Sequence, residues 1–291
     1  MKILVTGSDG QLGRELREVF EQNIPGVTLY ASKLILDVTD PKAIETFLIS
    51  NEITHIVNCA AYTDVDRAEE EKLQCASLNV NAVKNLALAA DSVGAKIIHM
   101  STGYVFDGNH CRPYRESDKV TPISQYGTTK RTGETALMAL APESIIIRTS
   151  WMYSPSATNN FVYQILSRAA EQKEIKVVCD QMGTPTSAAD LSRAILTILT
   201  SRQWVPGIFH FTNEGACSRY DYAKAILDYA GISNVKLTPI LTEDFPQTVQ
   251  RPFYSVLDKS MIKATYSVNI PHWTDSLKEC IKRMDRSKFS K

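Results

Sequence analysis

The first thirteen residues constrain the fold more than any other part of the chain. A short apolar run at 2–6 is followed by Gly7, Gly10 and Gly13, and then by a helical pattern with apolar residues on one face. Strand, Gly-x-x-Gly-x-x-Gly and helix are together typical of a dinucleotide-binding turn, because glycines let the backbone approach a pyrophosphate and the helix N-terminus offers free N–H groups. The segment therefore predicts a nucleotide-binding α/β domain.

The next segments bear on which dinucleotide such a domain prefers. The second predicted strand, 27–31, ends without the acidic residue that accepts hydrogen bonds from the ribose diol in NAD-preferring sites. Ser32 and Lys33 stand there instead and can donate to a 2′-phosphate, which favours NADPH, unless Lys33 is only a solvated loop lysine. Asp37 and Val38 follow, either against an adenine ring or in capping and packing alone.

The third predicted strand, 53–58, leads into a run with small residues at its start: Cys59, Ala60, Ala61, Tyr62 and Thr63. In a doubly wound sheet ligands bind at the carboxyl ends of the strands, where small residues let a flat cofactor or sugar approach the backbone. The following segment predicts one helix over 72–94. Asn79 on it is either an exposed helix residue or a buried amide that positions backbone.

One pair of residues indicates chemistry as well as binding. Tyr126 and Lys130 are four residues apart in a segment that reads as helical, so their side chains share one face. A cation beside a phenol favours its ionised form, which makes Tyr126 a candidate proton donor to a carbonyl oxygen that becomes an alkoxide. The strand predicted at 96–100 ends at Ser101 and Thr102, and either hydroxyl would donate to that same oxygen. Taken alone, each of these features is also ordinary structure.

The composition excludes several other classes of protein. Of 291 residues, 44% are hydrophobic and 22% charged, as in ordinary soluble domains. Thirty-two basic residues balance thirty-two acidic ones, which predicts neither nucleic acid nor a membrane surface as a partner. No apolar run approaches the ~20 residues that span a bilayer, no signal-peptide pattern is present and no ATPase phosphate loop occurs. Six scattered cysteines and five histidines predict a cytoplasmic protein without a metal site.

Longer motifs along nearly the whole chain are more specific. They are the glycine turn with Gln11 and Leu12, residues 60–66, residues 101–108, Tyr126-Gly127-x-x-Lys130, residues 148–151, residues 180–186 and Arg251-Pro252. On these motifs the sequence resembles the extended short-chain dehydrogenase/reductases and, among them, the dTDP-4-dehydrorhamnose reductase family. The Tyr-x-x-x-Lys pair is common to the superfamily, whereas Arg-Thr-Ser-Trp at 148–151 and Asp-Gln-x-Gly-x-Pro-Thr at 180–186 are restricted to the sugar-nucleotide reductases.

The resemblance implies a role for each matching residue. Tyr126 would donate the proton, Lys130 would orient it and bind the nicotinamide ribose, and Thr102 would polarise the substrate carbonyl. The residues that would line NADPH or NADH are Gly7, Gly10, Gln11, Leu12, Gly13, Asp37, Val38, Ala60, Ala61, Tyr62, Thr63, Tyr126 and Lys130. The residues that would line the deoxyhexose of a nucleotide sugar are Thr102, Gly103, Tyr104 and Trp151.

Two positions depart from the family's pattern. The family usually has Asp where this chain has Gly103, and Trp is common where it has Arg219; both bear on substrate preference. Arg251, in an extended loop, would place a guanidinium against a diphosphate unless it pairs with a surface carboxylate. The resemblance leaves a homodimer open, since some relatives are thought to pair through metal-bridged carboxylates and Glu15 matches one such position.

The predicted architecture is a Rossmann-type doubly wound parallel sheet over 1–150, with a smaller C-terminal α/β substrate lobe over 151–291 and some later segments returning to the sheet. The implied function is NAD(P)H-dependent reduction of the C4 ketone of dTDP-4-dehydro-L-rhamnose, or of another 4-keto-6-deoxy nucleotide sugar. A dehydratase or epimerase is disfavoured, because Gly103 and Tyr104 stand where a related dehydratase has Asp-Glu. An NADP-binding regulatory subunit without turnover is the remaining alternative.

Overall fold

A six-stranded sheet lies at the centre of the computed structural model, which describes residues 1–246 and 248–285. Its strands are β1 (Ile3–Thr6), β2 (Thr28–Ala31), β3 (His55–Asn58), β4 (Lys96–Thr102), β5 (Ile145–Thr149) and β10 (Gly207–His210). They lie in the order β10-β5-β4-β3-β1-β2, and every neighbouring pair is parallel. Parallel strands are covered on both faces, so they read as continuous apolar runs, as β1 and β5 do.

Helices cover both faces of this sheet. One face carries α1 (Gln11–Asn23), α7 (Ala188–Thr200) and α9 (Ser260–Tyr266). The other carries α2 (Pro41–Ser50), α4 (Ala82–Val93) and α5 (Gln125–Leu140). Successive strand residues point to opposite faces, so Ile3 and Val5 pack in the first layer and Leu4 in the second. The predicted Rossmann-type sheet is confirmed.

The chain changes direction across the sheet at β1, because β2 lies on one side of it and β3 on the other. In such a sheet a crevice forms outside the carboxyl ends of the strands at the switch point. The glycine turn follows β1, and the run that begins at Cys59 follows β3. The topology therefore brings these two predicted cofactor segments to one edge.

The rest of the chain builds a smaller lobe around buried aromatic residues. Its elements are β6 (Met152–Tyr153), α6 (Phe161–Glu171), β7 (Glu174–Val178), β8 (Met182–Gly183), β9 (Thr186–Ser187), β11 (Cys217–Ser218), α8 (Arg219–Ala230), β12 (Lys236–Ile240) and α10 (Trp273–Arg283). Helices α6, α8 and α10 share one core with β7, and fully buried Tyr222 lies within it. Strands β7 and β12 form a parallel pair.

Three later elements return to the large sheet. Strand β10 pairs with β5, while α7 and α9 bury apolar residues in the same cluster as α1. The predicted helix over 72–94 differs from the structure, which has α3 (Lys72–Ala76), a π-helical turn at Ser77–Asn81 and then α4. The predicted last helix, 273–286, ends at Arg283, and its final predicted position lies outside the described residues. None of the described helices combines the length and apolar character needed to cross a bilayer.

Candidate active site

The glycine turn fits a dinucleotide pyrophosphate. Gly7 has φ +63°, and a Cβ there would lie 2.7 Å from the backbone nitrogen of Ala60, so only glycine lets β1 and the end of β3 approach this closely. Helix α1 then begins without a side-chain cap and without an acidic residue in its first turn. The buried Ser8 hydroxyl has no hydrogen-bond partner among the described residues. Free N–H groups and an unpaired hydroxyl together match an anionic ligand.

The other predicted cofactor residues are held by local hydrogen bonds. Asp37 accepts from the backbone nitrogen and hydroxyl of Thr39 at 2.9 and 2.7 Å, and these bonds lower the pKa of its carboxyl. Val38 is buried in the second helix layer. The Ala60 nitrogen donates to Asn58, while Ala61 is half-buried and Thr63 is exposed. The turn and the loop after β3 thus present backbone and small side chains to the crevice.

Tyr126 lies in the first turn of α5. The helix is capped by Ser124, whose hydroxyl accepts from the Gly127 nitrogen at 3.1 Å. A Cβ on Gly127 would lie 2.2 Å from the Tyr104 carbonyl oxygen, so the glycine allows α5 to lie against that backbone. The Tyr126 ring meets the Tyr104 ring edge-on, with centroids 5.9 Å apart. Burial raises the pKa of the Tyr126 phenol to about 12, against a smaller lowering by a hydrogen bond with Thr102, so the phenol holds its proton at neutral pH.

Lys130 lies one turn further along α5 and points to β4. Its Nζ donates to the Met100 carbonyl oxygen at 2.6 Å and lies 3.3 Å from His99 Nε2. Burial lowers the pKa of this amine to about 8, against a smaller raising by Glu134. The expected lowering of the Tyr126 pKa by Lys130 is not what the structure shows, because burial dominates for the phenol and the amine is engaged by β4.

The proton on His99 can be assigned from its neighbours. Asn58 Oδ1 accepts from the Thr6 hydroxyl at 2.7 Å and from the Ala60 nitrogen at 3.1 Å, so its Nδ2 must be the atom 3.0 Å from His99 Nδ1. Nδ1 therefore accepts, and the neutral ring carries its proton on Nε2, facing Lys130. A neutral Lys130 amine fits both contacts, since it can accept from His99 and donate to Met100. Burial, and then the Lys130 charge, hold the His99 pKa well below its usual value.

The two hydroxyls at the end of β4, those of Ser101 and Thr102, differ in their hydrogen bonds. Ser101 donates to Glu134 Oε1 at 2.6 Å in a buried contact, so its hydroxyl is engaged. Thr102 Oγ1 accepts from the Tyr104 nitrogen at 3.2 Å, and its own proton is directed to the Tyr126 phenol, whose pKa this hydrogen bond lowers. Glu134 also binds Arg148 with both carboxylate oxygens, at 2.8 and 2.7 Å. This buried pair ties α5 to the strands that end at the site.

Asn79 is fully buried, so it is the backbone-positioning amide and not the exposed helix residue of the two alternatives. Its Oδ1 accepts from the Tyr62 nitrogen at 3.0 Å, and its Nδ2 donates to the Tyr62 carbonyl at 3.1 Å and to Thr129 at 3.2 Å. It lies within the π-helical turn, a feature often found at functional sites. A Cβ on Gly133 would lie 2.2 Å from the Asn79 carbonyl oxygen, so α5 packs directly on this turn. Asn79 thereby fixes the loop after β3 against the helix that carries Tyr126.

On the substrate side, Trp151 has φ +47°, a conformation strained for a residue with a side chain. A Cβ on Gly183 would lie 2.5 Å from the Trp151 ring, so the glycine makes room for that ring. Arg219 stacks on the same ring, with its guanidinium carbon 3.7 Å from the ring centre. Gly103 is buried, and a Cβ there would meet only the Leu257 side chain, at 3.5 Å. No backbone atom lies close enough to exclude a side chain at position 103.

Arg251 and Glu15 each have a partner within the chain. Arg251 Nη2 donates to Asp66 Oδ2 at 2.6 Å, the carboxylate pairing that was the alternative to a diphosphate contact. Glu15 is 2% exposed, and its carboxylate accepts a hydrogen bond from Arg283 at 3.1 Å. Glu15 is the residue that matches a metal-bridging position of some relatives. Within residues 1–246 and 248–285, no cluster of His, Cys, Asp and Glu has the arrangement to hold a metal ion.

Sequence reasoning missed Asn58, His99, Glu134 and Arg148 as parts of the site. Asn58 and His99 are polar residues in otherwise apolar strands, and they meet because β3 and β4 pair in the register Asn58↔His99. A polar residue inside an apolar strand was the available signal. Its partner depends on register, which the sequence does not state.

We expect acidification to destabilise the fold through two buried, neutral imidazoles. His99 and His210 are both 0% exposed, and burial lowers the pKa of both, that of His210 to about 3. Below the unfolded value of ~6.5 the unfolded chain binds more protons, so the free energy of unfolding falls by roughly 1 kcal/mol per histidine from pH 7 to 5.5. Urea unfolding at the two pH values measures the loss. His99→Gln should reduce it, whereas His272→Gln, at an exposed position, should not; an unchanged loss in His99→Gln would contradict the assignment.

Comparisons with known proteins agree with this geometry. The family model described as the RmlD substrate binding domain matches residues 1–286. A dTDP-4-dehydrorhamnose reductase from Aggregatibacter actinomycetemcomitans is 37% identical over 286 residues, 95% of this chain and 97% of its own. The crystal structure of a dTDP-4-dehydrorhamnose reductase from Clostridium acetobutylicum is 42% identical, with a TM-score of 0.92 over 97% of this chain and 99% of that one. The Bacillus anthracis dTDP-4-dehydrorhamnose reductase in complex with NADP is 34% identical, with a TM-score of 0.92 over 98% and 100%.

Proposed function

Because this chain belongs to the RmlD family of dTDP-4-dehydrorhamnose reductases, as its motifs predicted, we propose that it reduces the C4 ketone of dTDP-4-dehydro-L-rhamnose to dTDP-L-rhamnose. The observation that carries the proposal is the meeting of Thr102, Tyr126 and Lys130 at the carboxyl end of β4, beside a glycine turn that fits a dinucleotide. NADPH is the proposed cofactor, supported by the relative solved with NADP and by Ser32 and Lys33 after β2.

The residues divide the proton chemistry among them. NADPH, when bound, supplies the hydride that reduces the ketone. Thr102, whose hydroxyl proton faces the Tyr126 phenol when no substrate is bound, donates that proton in a hydrogen bond to the carbonyl oxygen. Tyr126, held in its protonated form by burial, transfers its proton to the oxygen as the alkoxide forms, and the phenolate takes up a proton from solvent.

Lys130 supports this transfer from the next turn of α5. Its pKa of about 8 lets the amine gain or lose a proton close to neutral pH. From this position Lys130 would orient Tyr126 and bind the nicotinamide ribose, as the family resemblance implies. His99 and Met100 hold the amine at a defined place on β4. The buried Glu134–Arg148 pair and Asn79 keep α5 in register with that strand.

The partner and compartment follow from the same proposal. A nucleotide sugar is the substrate, and the six cysteines are free thiols, which suits a reducing cytoplasm. A homodimer stays a proposal.

The test is direct turnover. Purified protein mixed with NADPH and dTDP-4-dehydro-L-rhamnose should oxidise the nicotinamide, followed by its absorbance, and form dTDP-L-rhamnose. NADH at the same concentration should react more slowly, and omission of the sugar nucleotide should abolish oxidation. NADPH binding without any turnover would instead support the non-catalytic NADP-binding subunit.

A further inference from the structure

Arg219 is a half-buried cation without a carboxylate partner. It opens α8, and its guanidinium carbon lies 3.7 Å from the centre of the Trp151 ring and 5.0 Å from that of Phe161. Across residues 1–246 and 248–285, the largest electrostatic influences on it come from Tyr104, Arg251, Tyr222 and Cys217. No carboxylate is among them.

The place is electrostatically unfavourable for a cation. Burial lowers the pKa of Arg219, and the positive charge of Arg251 lowers it further. The N-terminus of a helix also carries a partial positive charge, which disfavours a cation in the first turn. Stacking on aromatic rings offsets part of this penalty and fixes the plane of the guanidinium. The N–H donors at its edge are left without a described acceptor.

The surroundings indicate what this positive region faces. Arg219 is close enough to Tyr104 for the two to interact, and the Tyr104 ring packs edge-on against Tyr126. Tyr104 therefore lies in contact with the proton donor of the proposed reaction and also acts electrostatically on Arg219. Arg251, in another loop, donates one hydrogen bond to Asp66 and is a second positive charge that acts on Arg219. A guanidinium group held flat on an aromatic ring, with its N–H donors unpaired and a second positive charge acting on it, is suited to a diphosphate, which accepts bidentate hydrogen bonds.

We propose that Arg219, stacked on Trp151, binds the diphosphate of the nucleotide sugar, while Arg251, which is paired with Asp66, contributes positive charge from a distance. This rests on the proposed function and adds a specificity residue to it, at one of the two positions where the sequence departs from its family's pattern. The charge of the phosphates then offsets the mutual repulsion of the two arginines. Affinity for a thymidine nucleotide should rise with each phosphate and fall with salt.

The experiment is calorimetric titration of dTDP, dTMP and thymidine into wild type, Arg219→Gln, Arg219→Lys and a control, Arg202→Gln, at an exposed site. Loss of a charge-assisted contact should weaken dTDP roughly 10- to 100-fold in Arg219→Gln. Thymidine should change less than about twofold, since it has no phosphate to lose a contact. Arg219→Lys should recover part of the dTDP affinity, and Arg202→Gln should match wild type.

Two outcomes overturn the inference. An equal loss for dTDP and thymidine makes Arg219 a packing residue for the lobe, and unchanged dTDP affinity removes it from the site. If the Gln variant does not fold, the salt dependence of dTDP binding in wild type and Arg219→Lys decides, because a flat dependence excludes a charge contact. Binding is measured without turnover, so inactivity towards the ketosugar would count against the proposed function and leave this result standing.

Discussion

Replacing Tyr126 with Phe is expected to lower kcat by about 10²- to 10⁴-fold, because a positioned general acid contributes that much to a proton transfer. The phenyl ring keeps the edge-on contact with Tyr104, so the fold and NADPH affinity should be retained. Steady-state kinetics followed by nicotinamide absorbance gives the rate, and fluorescence titration gives the cofactor affinity.

Tyr104 provides the matched control, since its ring lies against that of Tyr126 and carries the same hydroxyl. Tyr104→Phe should leave kcat within about tenfold of wild type, because its phenol has no assigned proton transfer. The opposite pattern, with Tyr104→Phe inactive and Tyr126→Phe active, would move the proton donor to the neighbouring ring.

Glu134→Ala is expected to destabilise the protein by roughly 3–5 kcal/mol, since breaking a buried ion pair leaves an uncompensated charge. Arg148 is 1% exposed and loses both contacts, while Ser101 loses its acceptor. Urea unfolding followed by circular dichroism measures the change. Because Ser101 precedes Thr102, the surviving folded enzyme should also have a lower kcat.

Two controls separate burial from charge. Glu279→Gln breaks a pair whose side chains are 64% and 61% exposed, and should change stability by less than about 1 kcal/mol. Combining Glu134→Leu with Arg148→Met removes both charges and should restore much of the stability lost in Glu134→Ala. If the single Glu134 variant is no less stable than Glu279→Gln, Arg148 is satisfied by other means.

The sequence was sufficient where function depends on local spacing. The glycine turn identified β1 and α1, because glycine is the residue that such a turn requires. Spacing of four on a helix put Tyr126 and Lys130 on α5, and the longer motifs indicated the family. These features are encoded within a few neighbouring residues.

The rest of the site depends on contacts between distant segments. The amine of Lys130 is set by β4, and the partner of Arg251 proved to be Asp66. The π-helical turn around Asn79 looks like regular helix in the sequence, because its side-chain pattern shifts by only one residue. Such contacts follow from strand register and packing, which no short motif records.

The return of α7, β10 and α9 to the large sheet has a consequence for biosynthesis. A chain emerging from the ribosome has made β1 to β5 well before Phe209 and Ile262, which complete one side of that sheet, leave the exit tunnel. The apolar face around Ile145 and Ile147 then has only part of its cover. The dinucleotide half should therefore expose apolar surface to chaperones until the segment around Ile262 has left the exit tunnel.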